Sequence, residues 1–196
     1  MNGCHAGRMA NFVAMWLEKD GKLTRPTQML LGAVSGVRAP LLASVRVFPK
    51  DQNWLRFPWY AAAKGGGAFV MGDRIYAHRH FFLPEHSHGF LFLLAHEVGH
   101  LPHAERFGAS GLGRSRFVCW AAGHYLRSAL LHGKHAHRSA RIEQEAERGR
   151  WVLRELVQAT QKDSVFAHMK DEASLTTWLQ RNAALIASLH KAYKGW

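Results

Sequence analysis

The run His96-Glu97-Val98-Gly99-His100, placed directly after a continuous apolar stretch (90–95), restricts the fold more than any other feature. On a helix, residues four apart lie one turn apart on the same face. Two imidazoles at that spacing can converge on one metal ion, and the expected ion is Zn2+. Glu97 is too close in sequence to chelate beside them, but it can reach a water on the metal and take its proton. Gly99 lowers helix propensity, which predicts that another element passes close to the backbone there.

A zinc site needs a third protein ligand. His103 lies on nearly the same face as His96, but on a straight helix it is roughly 10 Å further along the axis, too far to share an ion. A longer form of the motif would place a histidine ten residues after His96, where this chain has Arg106. The better candidate is the run Glu143-Gln144-Glu145-Ala146-Glu147. Glu143 and Glu147 share a helix face, so one carboxylate can bind metal while the other holds a ligand histidine by its second ring nitrogen. Glu145 points elsewhere. The competing reading is an exposed acidic helix face balanced by Arg141, Arg148 and Arg150.

The pattern elsewhere predicts one α+β domain spanning 1–196, a small antiparallel sheet packed on a mainly helical body. Helical spacing marks 7–20 and then a helix from Thr24, with Pro26 in its first turn, to Gly36. Residues 44–48 alternate like a short strand ending at Pro49. Residues 54–60 are aromatic, and 61–64 read as a helix end stopped by Gly65-Gly66-Gly67. Ala68-Phe69-Val70-Met71 and Arg74-Ile75-Tyr76-Ala77 flank Gly72-Asp73 as in a tight hairpin. A histidine-rich loop covers 84–89. Helices follow from Phe90 to near Pro102, over 116–131, over 139–161, and from Asp171 or Ser174 to Leu189, so 41–108 carries the strands and motif helix and 115–196 the third ligand.

Charge is the unusual bulk property: 26 Lys+Arg against 14 Asp+Glu, a net charge of +12. It suits an acidic partner or inhibitor. The cations are scattered and accompany no nucleic-acid-reading motif, so nucleic acid is not expected as the main partner. Cys4 and Cys119 form no CxxC pair, which argues against a disulfide framework or thiolate cage. No apolar stretch is long enough to span a membrane. The start carries no signal pattern, so the expectation is a soluble protein made in the cytoplasm, with export by a specialised secretion system still open.

ExxA[DE] after a distant HExxH resembles the gluzincin metallopeptidases. That resemblance implies His96, His100 and Glu143 as metal ligands, Glu97 as catalytic base, and Glu147 as the acid that supports the ligands. Val45-Arg46-Val47, residues 61–67, the hairpin over 68–76 and Leu93-Leu94-Ala95-His96-Glu97 are similar to the small peptidase-like domain associated with bacterial contractile injection systems and toxins. The similarity covers about 41–108 and implies a minimal zincin-like fold. It further implies that Arg74, Tyr76 and His78 lie on an edge strand to which a peptide substrate adds. Tyr125 and His124, between the two ligand helices, are candidates for stabilising the transition state. Three functions follow: a zinc-dependent endopeptidase, a non-catalytic zinc-binding module of the same type, or a basic binding protein in which the motif is accidental.

Overall fold

The computed structural model describes residues 15–50 and 67–195. Most of the helix expected over 7–20, and the aromatic and Ala/Gly stretches over 54–66, lie outside them. Helix α1 (Arg25–Ser35) starts at Thr24 with Pro26 in its first turn and stops at Gly36, whose φ of 73° an L side chain would resist. The Thr24 hydroxyl donates to the Met15 carbonyl at 2.9 Å, tying the helix start to the preceding segment.

After the short helix α2 (Ala39–Ser44) come three strands: β1 (Arg46–Pro49), β2 (Ala68–Met71) and β3 (Arg74–Ala77). The hairpin β2–β3 forms as expected, with Met71 opposite Arg74 and Gly72 at φ 67°. Arg114 clamps Asp73 of that turn at 2.7 Å. The sheet departs from expectation in two ways. It is mixed, because β1 pairs parallel with β3, Val47 opposite Ile75. The long connection between β1 and β3 makes that possible, since a parallel pair needs a crossover of a dozen or more residues. Consequently the order is β1-β3-β2, and Arg74–Ala77 is the middle strand, not an edge. Both of its sides are occupied, so Arg74, Tyr76 and His78 do not form an edge for substrate. Tyr76 instead lies between Phe48 and Phe69, ring centres 5.9 and 5.1 Å away.

Of the histidine-rich loop expected over 84–89 only the first half is loop-like, a 3-10 turn (Pro84–His86) preceded by another (Arg79–Phe82), because helix α3 begins earlier than expected, as Ser87–Glu97. It then tightens into a 3-10 turn, Val98–His100, and continues as α4 (Leu101–Glu105). Pro102 does not end the helix near itself: it sits in the first turn of α4, where a missing N–H costs no hydrogen bond. Helix α5 (Gly111–His132) is longer than expected, because the Ser110 side chain accepts from the Gly113 amide and starts it upstream. A short α6 (Ala136–Ser139) leads to α7 (Arg141–Ala159) and α8 (Val165–His168). Asp171 caps α9 (Glu172–Arg181) by accepting from the Ala173 and Ser174 amides. The single last helix of the expectation is broken at Asn182, whose side-chain amide donates to the Trp178 carbonyl at 2.9 Å, and α10 (Ala183–Ala192) follows. No helix among the described residues is long and apolar enough to cross a membrane.

Helices α1, α3 and α7 pack on one another through Leu30, Leu31 and Val34, Leu91, Leu94 and Ala95, and Val152, Leu153 and Leu156, none of them exposed at all. Two glycines bring α7 against the motif. A Cβ at Gly99 would stand 2.5 Å from the Ala146 Cα, and one at Gly149 would stand 2.3 Å from the Ala95 carbonyl oxygen. The passing element predicted from Gly99 is therefore α7. Overpacking against backbone costs about 1–3 kcal/mol, more than the ~1 kcal/mol by which Ala exceeds Gly in helix propensity. Gly99→Ala is expected to lower the urea midpoint accordingly. Gly123→Ala, on α5 with nothing within 4 Å of the added carbon, is expected to raise stability by about 0.5–1 kcal/mol.

Candidate metal centre

The contact at Gly99 sets His96 and His100 over the first turns of α7. His96 lies in the last turn of α3, His100 closes the 3-10 turn, and their rings stand 5.2 Å apart at 80° to one another. Ala146, with no exposed surface, leaves room between Glu143 and Glu147 for both carboxylates to reach up. Glu143 Oε2 lies 3.2 Å from His96 Nε2, and Glu143 Oε1 lies 3.5 Å from His100 Nε2. The three donor atoms fall within 4.8 Å of one another. Metal bonds of about 2.0–2.2 Å put tetrahedral donors roughly 3.3–3.6 Å apart. The spacing therefore fits a small divalent ion.

The second nitrogen of His96 is also engaged: Nδ1 lies 2.9 Å from Glu147 Oε2, which leaves Nε2 for a metal. Arg150 grips the same carboxylate, Nε to Oε1 at 2.8 Å and Nη2 to Oε2 at 2.5 Å. Glu145 turns away to His103 at 2.9 Å and Arg141 at 2.6 Å, which also removes His103 from the cluster. The Tyr125 hydroxyl donates to Glu143 Oε1, and its ring stacks on His137, whose Nε2 is 3.6 Å from Glu143 Oε2. His124 takes a different direction, with its ring 4.3 Å from that of Trp120, away from the metal cluster. Sequence reasoning thus placed Tyr125 between the ligand helices correctly, and missed Arg150, read as surface compensation, and Lys50, whose charge acts on Glu97. The i, i+3 spacing of Glu147 and Arg150 was the available signal for the former. Lys50 had none.

The electrostatics suit cation binding. Burial holds His100 down at about 4, against the pull of Glu143, so its ring is neutral and can ligate. Burial opposes ionisation of Glu143, but hydrogen bonds and charges from His96, His100, His137 and Tyr125 outweigh it and hold the carboxyl at about 2. Burial also opposes a charged His96, yet Glu143 and Glu147 on its two nitrogens raise it to about 9. Glu97 is 4% exposed, and burial pushes its carboxyl up to about 7, with attraction from His96 limiting the rise. Two surface hollows among the described residues lie elsewhere, one of about 420 Å³ against residues 158–163 and one of about 120 Å³ beside Leu41 and Leu101. Donor chemistry, not cavity size, singles out this cluster.

Compared with known proteins, the chain matches no family model, no curated protein and no solved structure.

A proton on His96 offsets part of the charge of the two carboxylates beside it in the metal-free protein, and a ligating metal must displace it. Uptake of Zn2+ at pH 7.5 is expected to release about one proton per ion, falling towards none as pH rises through the His96 value near 9. Titration calorimetry in buffers of differing ionisation enthalpy measures this. An observed heat independent of buffer would contradict the assignment of His96.

Proposed function

We propose that the chain is a zinc-dependent metallopeptidase, held to its metal by His96, His100 and Glu143 and using Glu97 as general base. The observation that carries this reading is the convergence of two motif histidines and a carboxylate from a distant helix to within 4.8 Å, with Glu97 buried beside them. Two imidazoles and a carboxylate, leaving a fourth position open, form a donor set suited to catalytic zinc. The resemblance to gluzincins and to injection-system peptidase-like domains points the same way.

Bound zinc would supply Lewis acidity, lowering the pKa of a ligated water and polarising the peptide carbonyl. Glu97 takes the proton of the attacking water and passes it to the leaving amine nitrogen. A carboxyl near 7 gives and takes that proton close to neutral pH with little driving-force penalty. Glu147, gripped by Arg150, fixes the orientation of the His96 ring. Tyr125 brings an O–H to Glu143 and His137 sets a ring nitrogen 3.6 Å from it, and these are the two groups we assign to a developing oxyanion. The His137 side chain is 76% exposed, so the centre is one side chain away from solvent and from a peptide.

One observation favours a second reading, a non-catalytic zinc-binding module of a toxin or injection-system protein. The side chains of His96, His100 and Glu143 are only 11%, 10% and 5% exposed. Metal analysis followed by Glu97→Gln separates the readings. The peptidase predicts one zinc per chain, cleavage in a broad peptide library that a chelator abolishes, and a Glu97→Gln protein that keeps zinc while losing about 10²–10⁴-fold in rate. Stoichiometric zinc with no cleavage by the unsubstituted protein would select the binding module. Absence of zinc would reject both.

A further inference from the structure

We infer that the solvent face of α5 is a docking surface for an acidic amphipathic helix of a partner protein. This stands apart from the metallopeptidase reading. Across residues 106–142 the chain has seven Lys and Arg, four His and not one Asp or Glu. That stretch carries more than half of the net +12.

The same stretch holds every large apolar side chain that stands well into solvent among the described residues: Leu112 at 65%, Leu126 at 65%, Leu130 at 81% and Leu131 at 66% exposed. At about 100° per residue, Leu112, Leu126 and Leu130 fall within roughly 40° of one another, and exposed Cys119 lies between them on that line. They form a stripe about 27 Å long. Exposed Arg116 and Arg127 run along one side of it. Tyr125, which reaches Glu143, leaves α5 from the far side, so the stripe and the metal centre are separate surfaces.

Charge decides among occupants. A second copy would set one acid-free basic face against another, and like charges suppress such pairing. Nucleic acid is recognised through its phosphates by cations, which leaves the row of leucines unexplained. A membrane surface favours aromatic and large apolar side chains on the inserted face. Here Phe117 is buried and Trp120 packs on Phe107 and His103, while Cys119, Ala122 and Gly123 occupy the middle of the exposed face. Leucines at the two ends with small residues between them suit a helix laid along α5, where close approach is needed in the middle. Its acidic flank would meet Arg116 and Arg127.

Cys119 supplies the probe. In a Cys4→Ser protein, Cys119 is the single thiol and takes an environment-sensitive dye. A synthetic helical peptide with Leu at helical spacing and Glu elsewhere is expected to bind and shift the dye to the blue, more weakly as salt rises. A peptide with Lys in place of Glu should not bind. Leu126→Glu/Leu130→Glu and, independently, Arg116→Glu/Arg127→Glu should each weaken binding by about tenfold or more, with metal content and thermal melt unchanged. The inference is overturned if the acidic peptide produces no shift, if the Lys peptide binds equally, or if either double variant binds as before. It is equally overturned if the dye shift arises only with vesicles of equal parts phosphatidylcholine and phosphatidylglycerol, only with duplex DNA, or with rising protein concentration alone.

Discussion

At Gly99 and Gly149 the backbone of the motif segment touches the backbone of α7, and the reach of every ligand is set by that contact. A carboxylate of Glu143 extends only a few ångströms from its helix. It meets both His96 and His100 because nothing larger than hydrogen stands between Gly99 and Ala146. The apolar residues do a different job. Leu91 and Leu94 on one helix and Val152, Leu153 and Leu156 on the other supply the burial that holds the crossing together, while the glycines decide how deep it is. Spacing and cohesion are thus written in different residues, and the donor geometry depends on the former.

What could be read without coordinates was local. HExxH, the Glu143–Glu147 pair and the Gly72 turn are signals of one helical turn or one hairpin, and each lies where its spacing put it. Gly99 carried tertiary information only because its cost to a helix demanded a neighbour. The parallel pairing of β1 with β3 had no such signature: both strands are four residues long, and the long crossover between them leaves the partner open. Once β1 takes the far side of β3, the assignment of Arg74–Ala77 as a substrate edge fails. On α5 the difficulty was different. Tyr125 and His124 are neighbours about 100° apart, and the face toward α7 decides which one meets Glu143. Four exposed leucines blur that face, since an apolar stripe ordinarily marks the core side of a helix.

Three of the chain's 14 acids, Glu97, Glu143 and Glu147, are buried together at one point in a strongly basic protein. Stability does not explain this. Burying a charge costs several kcal/mol, and well-packed apolar residues often serve a core as well or better. The cluster persists because each carboxylate has a cationic or donating partner: His96 between Glu143 and Glu147, Arg150 on Glu147, Tyr125 on Glu143, and the charges of His96 and Lys50 near Glu97. Glu97 is the least compensated of the three, and it alone is driven up towards neutrality while Glu143 is held at about 2. Under the proposed metallopeptidase reading, Glu143, held ionised, would bind the cation, and Glu97, poised near neutrality, would carry the proton.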